Sequence, residues 1–187
     1  MPSAEPSTEP STTDTAPLPT RLAEAAATSS LASRLVEPLQ RLADLVPRGG
    51  TLDSVLRGKP LGHPLHPALS DVPIGLWTSA VVLDLSGRRY ERAARRLVGL
   101  GLLAVAPTAL AGLADWRTTE PPARGAGAAH AALNSAGAAL LAGSWVARRR
   151  GHRARGVLLA LAGTGAAGAG AYLGGHLVFV EDVPDRG

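Results

Sequence analysis

From residue 61 onward, apolar side chains run in four long blocks separated by short polar connections. The blocks span roughly 67–86, 97–114, 128–147 and 156–177. At about 1.5 Å of rise per residue, each is long enough to cross a hydrocarbon layer of about 30 Å. The last two are built on Ala and Gly, so their insertion relies on their neighbours. Upstream, SLASRLVEPLQRLADLV (30–46) sets Leu31, Leu35, Leu39, Leu42 and Leu45 at helical spacing with charges between them. That pattern predicts a short amphipathic helix with Pro38 as its weak point, lying on a membrane surface or packed on the bundle. Residues 2–20 are Pro/Ser/Thr-rich with scattered acids. They hold too little apolar surface to fold and lack the basic and apolar regions of a signal peptide.

The chain therefore divides into a disordered tail (1–29), an amphipathic helix and linker (30–60), a four-helix transmembrane domain (61–180) and a short tail (181–187). The expected fold is all-α, a polytopic membrane protein built on a four-helix bundle. A soluble Ala-rich bundle is the competing architecture. Composition favours the membrane: hydrophobic residues make up 45% of the 187, yet aromatics are only 3% and Gly numbers 22. Small residues let membrane helices approach closely, whereas a soluble core of this size draws on aromatic area.

A pI near 10.6 raises nucleic acid as a partner. The arginines, however, fall in two short loops, GRRYERAARR (87–96) and ARRRGHRAR (147–155), rather than along one helix face. They read as a topology signal that keeps those loops in the cytoplasm, with no nucleic-acid role. Both termini then face outward from a bacterial plasma membrane. Trp116 and Trp145 fall at opposite interfaces, as in an aromatic belt. The absence of cysteine rules out disulfides, thiolate catalysis and Cys-ligated clusters within this chain.

In that topology four of the five histidines gather on the outer side. His63 and His66 precede the first span, His130 lies a turn inside the third, and His176 ends the fourth. Asp71 and Asp115 share that side, while His152 lies solvated among the cytoplasmic arginines. Neutral imidazole is the commonest protein metal ligand and also ligates haem iron. Asn134 stands one turn after His130 and Tyr172 one turn before His176, each spaced to orient a ring. Gly163, Ala167, Gly170 and Gly174 form a small-residue stripe that suits tight helix contact or a flat macrocycle. Plainer roles compete with these: the His-Pro pairs fix an extended approach to the helix, Asp71 caps its start, and Asp84 pairs with arginines of the 87–96 loop.

The stretch LGHPLHPALSDVPIGLWTSAVVLDL, followed by RRLVGLG, PTALAGLADW, HAALN and YLGGHL, resembles the bacterial four-helix membrane proteins grouped as domain-of-unknown-function family 2231. The resemblance covers about residues 35–180. It points to His63, His66, Asp71, Asp84, Asp115, His130 and His176, and implies a redox setting, because some members carry a Rieske iron–sulfur domain after the fourth helix. This chain ends instead at VFVEDVPDRG without such a domain.

Two functions follow as expectations. One is a cofactor protein holding haem b through His63, His66, His130 and His176, or a transition metal through His66, His130 and His176. Asp71, Asp115, Asn134 and Tyr172 support the site, and a separate Rieske or other redox protein is the partner. The other is a non-catalytic anchor or assembly module for such a partner. No nucleophile elbow, phosphate loop or His-Glu-x-x-His spacing marks a familiar hydrolase. No inverted repeat marks a transporter, and Pro73 and Pro107 are single kinks at most.

Overall fold

A computed structural model describes residues 17–179, with the side chains of Pro122 and of residues 176–179 outside that description. Seven α-helices follow in order: α1 (Leu18–Ala27), α2 (Ser30–Asp44), α3 (Gly50–Leu56), α4 (Leu65–Leu85), α5 (Glu91–Trp116), α6 (Pro121–Arg149) and α7 (Arg153–Phe179). Helix α1 falls inside the stretch expected to be disordered, and α3 inside the expected linker. The first 16 residues of that tail and the predicted C-terminal tail lie outside the described residues. Helix α2 forms where the amphipathic pattern predicts and runs through Pro38 unbroken. Its packed face, however, is Ala32, Leu35, Val36, Leu39 and Ala43, while Leu31, Leu42 and Leu45 of the predicted stripe are exposed. Ser29 starts it, its Oγ accepting from the Ala32 N–H at 3.1 Å.

Helices α4 to α7 form two antiparallel hairpins, α4–α5 and α6–α7, which also pack through α4 against α7 and α5 against α6. The result is a closed square with α4 and α6 at opposite corners. One end holds the start of α4, the end of α5 and the start of α6; the two arginine loops lie at the other. The core packs many small residues around Trp77, Val98 and Leu141. Ala80, Ala94, Ala111, Ala114, Ala128 and Ala160 are buried, while Val72, Val82, Leu100, Leu103, Leu110 and Leu158 are exposed on the flanks. Large apolar residues on the outer flanks and many small ones at the helix contacts suit a bundle whose solvent is lipid.

Among the described residues, three helices are long and apolar enough to cross a membrane: Leu65–Leu85, Arg88–Trp116 and Arg153–Gly175. Four were expected. Helix α6 has the length, at 29 residues, but His130, Asn134, Ser135 and Ser144 dilute its hydropathy. Of these, His130, Asn134 and Ser144 face neighbouring helices, while Ser135 is exposed.

The two hairpins repeat one another in direct register. His66 and His130 are 64 residues apart, as are Trp77 and Leu141, and Asp84 and Arg148. Ser70 Oγ donates to the His66 carbonyl at 2.8 Å, and Asn134, 64 residues on, donates through Nδ2 to the His130 carbonyl at 2.9 Å. In the return helices the offset is 62 residues. A Cβ at Gly101 would meet Trp77 at 2.2 Å, and one at Gly163 would meet Leu141 at 2.8 Å. The sequence shows the repeat only faintly, as HPALS against HAALN. It is direct, so a search for inverted symmetry passes over it.

Equivalent residues of α4 and α6 meet across the square. Near the arginine loops Asp84 and Arg148 form a two-pronged pair, Nη1 to Oδ1 at 2.8 Å and Nη2 to Oδ2 at 2.5 Å. Both side chains are buried, at 1% and 0% exposure. Arg148 Nε donates to Ser144 Oγ at 3.1 Å, and that hydroxyl donates to the Gly156 carbonyl at 2.6 Å. Arg153 donates to the Asp84 carbonyl at 3.1 Å. The expected pairing of Asp84 with the 87–96 loop is thereby corrected. Asp84 lies on the inner face of α4, where α6 rather than the loop presents a guanidinium.

Removing one partner strands a buried charge, so Asp84→Ala or Arg148→Ala should each cost about 3–5 kcal/mol. Asp84→Leu combined with Arg148→Leu should cost less than either single alanine change. Thermal unfolding in detergent reads both, and additive losses would contradict the pairing.

Candidate functional site

The chain reaches α4 through a tight turn. Gly58 sits at φ 70°, and a Cβ there would lie 1.9 Å from the His63 carbonyl oxygen. Only glycine allows both the conformation and the contact. His63 precedes Pro64 and is exposed, its Nδ1 lying 3.2 Å from the Pro64 carbonyl. Pro67 falls in the first turn of α4, where its missing N–H leaves no helical bond unmade.

His66 and His130 come together. Their ring centroids are 5.9 Å apart and the rings meet edge to face at 81°. Each ring is held by the return helix of its own hairpin. His66 Nδ1 lies 2.9 Å from the Thr108 carbonyl and His130 Nδ1 lies 2.7 Å from the Gly170 carbonyl. A carbonyl oxygen only accepts, so each Nδ1 carries the proton; in the neutral ring Nε2 then keeps a lone pair. Behind each ring stands a glycine of the same register. A Cβ at Gly112 would come within 2.9 Å of His66, and one at Gly174 within 2.9 Å of His130.

Pro73 contributes from within α4. Lacking an N–H, it leaves the Leu69 carbonyl without its helical donor. The Thr108 hydroxyl lies 3.2 Å from that oxygen and 2.9 Å from the Ala104 carbonyl. Thr108 thus binds α4 to α5 through its side chain and receives His66 on its backbone.

Of the other expected members, His63 and Asp71 stand apart from the pair. His63 is exposed in the approach to α4, and Asp71 is exposed on that helix because five residues of helical turn carry it away from the face of His66. Asp115 is half-buried at the end of α5, in the field of Arg57. Asn134 lies against the His130 ring, 3.4 Å from both ring nitrogens. Tyr172 is 47% exposed. His176 belongs to the last turns of α7 at the same end of the bundle, and its side chain lies outside the described residues. Among the described residues no group of three or more His, Asp or Glu is placed to share a metal ion. His152 is exposed between α6 and α7.

The small-residue stripe of α7 is occupied by α6: Gly163 meets Leu141, Ala167 meets Gly137, Gly170 meets Asn134 and Gly174 meets His130. It is a packing surface along its described length. Trp116 and Trp145 do lie at opposite ends, but Trp116 is buried rather than belted. It shares a cluster with Ala23 of α1 and with Ala32 and Ala43 of α2. The Ala27 carbonyl rests on Gly125, where a Cβ would stand 2.3 Å away. Helices α1 and α2 therefore pack on the bundle at its histidine end.

Helix α3 is tied to the same end by Arg117, which pairs with Asp53 and donates to the Val46 and Pro47 carbonyls at 3.1 and 3.2 Å. Burial raises the Asp53 carboxyl. Hydrogen bonds from Arg117 and the Gly49 N–H, with the charges of Arg117 and Arg57, outweigh that and hold it below the usual carboxylate range.

A family model described as a predicted membrane protein, domain-of-unknown-function 2231, matches residues 62–186. Comparison with curated proteins and with solved structures finds no match.

Two outcomes follow. Gly112→Val and Gly174→Val should each push a histidine ring from its carbonyl and cost about 1–3 kcal/mol in detergent unfolding; neutral variants would show the rings loosely held. Because the folded Asp53 carboxyl lies below its unfolded value of roughly 3.9, the pair contributes fully above that value and is lost as pH falls through the folded one. The melting-temperature advantage of the parent over Asp53→Asn should be constant near neutrality and shrink below about pH 4.

Proposed function

This chain belongs to the predicted membrane proteins of domain-of-unknown-function family 2231, and we propose that its paired histidines ligate a redox cofactor within a four-span bundle. The ligand is haem iron or a single transition-metal ion, held by His66 and His130, with His176 as the expected third donor. One observation carries the reading: both rings spend their Nδ1 proton on a backbone carbonyl. Metal-ligating histidines are oriented in this way, with the second nitrogen left for the metal. Bound iron or copper would supply one-electron exchange. His63 and Asp71 have no part in this site.

Helix α6 is the fourth span in this proposal. It packs along α7, and its most costly group, Arg148, is neutralised inside the bundle. The arginine loops mark the cytoplasmic end of a bacterial plasma membrane, so the histidine pair faces the outer leaflet. A separate Rieske-type or other redox protein is the partner.

A second reading has its own support. Both rings are already hydrogen-bonded and backed by glycines, which suits a polar lock between hairpins in a non-catalytic anchor module. One preparation separates the two. Protein expressed with haem and metals available should show a Soret band or stoichiometric metal that disappears in His66→Ala and His130→Ala. A folded protein showing neither would end the cofactor reading and leave the anchor.

A further inference from the structure

The two hairpins match at their histidines and their buried charges, yet they differ on one outer seam. Between α5 and α6 runs an open groove of about 500 Å³, walled by Leu100, Leu102 and Leu103, with Arg96, Gly99 and Trp145 completing it. Gly99 is needed there, since a Cβ would stand 2.9 Å from the Trp145 indole nitrogen. The Arg149 guanidinium lies over the same indole, 4.8 Å from its centre. Arg96 and Arg149 are exposed, and both belong to the arginine end of the bundle.

The repeat supplies a comparison within the molecule. On the corresponding seam between α7 and α4, Leu158 stands for Arg96, Leu161 for Gly99, Val81 for Trp145 and Leu85 for Arg149. Leu158, Leu161 and Leu85 are exposed there. That seam is an ordinary apolar flank. On the α5–α6 seam the same positions hold two cations, a tryptophan and the glycine that makes room for it. Hydrocarbon walls with guanidinium groups at one end match a molecule with an acyl chain and an anionic head.

We propose that the α5–α6 groove is a binding site for an anionic phospholipid, its acyl chain along Leu100 and Leu103 and its phosphate between Arg96 and Arg149. Trp145 sits where chain and headgroup meet, an interfacial setting in which tryptophan is enriched. The proposal rests on α6 being a span, and its test separates the two ideas.

The full chain is reconstituted into phosphatidylcholine vesicles carrying the same fraction of either brominated phosphatidylglycerol or brominated phosphatidylcholine. Trp145 emission is taken as the difference between the parent chain and Trp145→Phe. Brominated phosphatidylglycerol should quench it preferentially. Arg96→Gln and Arg149→Gln should each lower that preference about fivefold, while Arg92→Gln, on the same end but outside the groove lining, should leave it intact. Equal quenching by both lipids, or a preference unmoved by the groove variants, would overturn the site while keeping α6 in the membrane. Quenching by neither lipid would overturn both.

Discussion

Arg148 and Asp84 meet where the two hairpins face each other, and both charges are closed off from solvent. Charges in that position must be answered from within the bundle, because an unpaired one costs several kcal/mol in any low-dielectric surrounding. The answer sets the geometry around it. A two-pronged pair fixes α6 against α4, Ser144 completes the guanidinium, and Gly156 is held to a hydrogen because a Cβ would stand 2.5 Å from the Arg148 side chain. At the other end His66 and His130 meet between the same two helices. Helices α4 and α6 are thus joined by a polar contact at each end, with Trp77, Leu141 and small residues packed between.

The direct repeat explains why these contacts fall where they do. Residues at one register position of two similar hairpins approach each other when the hairpins pack about a common line. Histidine therefore meets histidine and carboxylate meets guanidinium. The first pairing keeps the two halves alike, and the second makes them complementary. Direct repeats related by an axis along the membrane normal are a known way of building membrane bundles. Here the departures from the repeat are as informative as the matches, since the cations and tryptophan of the α5–α6 seam are replaced by apolar residues on the equivalent α7–α4 seam.

Glycine and proline do local work that long apolar helices alone would not accomplish. Gly58 closes the turn that starts α4, and Pro73 frees the Leu69 carbonyl that faces Thr108. Gly112 and Gly174 leave room for the imidazoles. Each of these is a position where a missing atom, a Cβ or an N–H, allows a polar group to find its partner inside the bundle.

Much of this was legible before any coordinates. The apolar blocks announce long helices, the amphipathic pattern announces α2, and His66 just before the first block and His130 inside the third stand out as polar groups beside apolar sequence. Burying apolar surface is a property of composition and period, so it reads directly from the chain. Partner choice is not. Asp84 is near the 87–96 arginines in sequence, yet it lies on the inner face of its helix, where only tertiary packing brings Arg148. Asp71 and His63 share an end with His66, yet helical rotation and an extended approach carry them away from it. Sequence alone determined that the long apolar blocks and the α2 stretch are helical, though not α1 or α3, and which residues are costly to bury. The tertiary structure decided which of those residues meet, because contacts 64 residues apart depend on how the hairpins pack and on no local pattern.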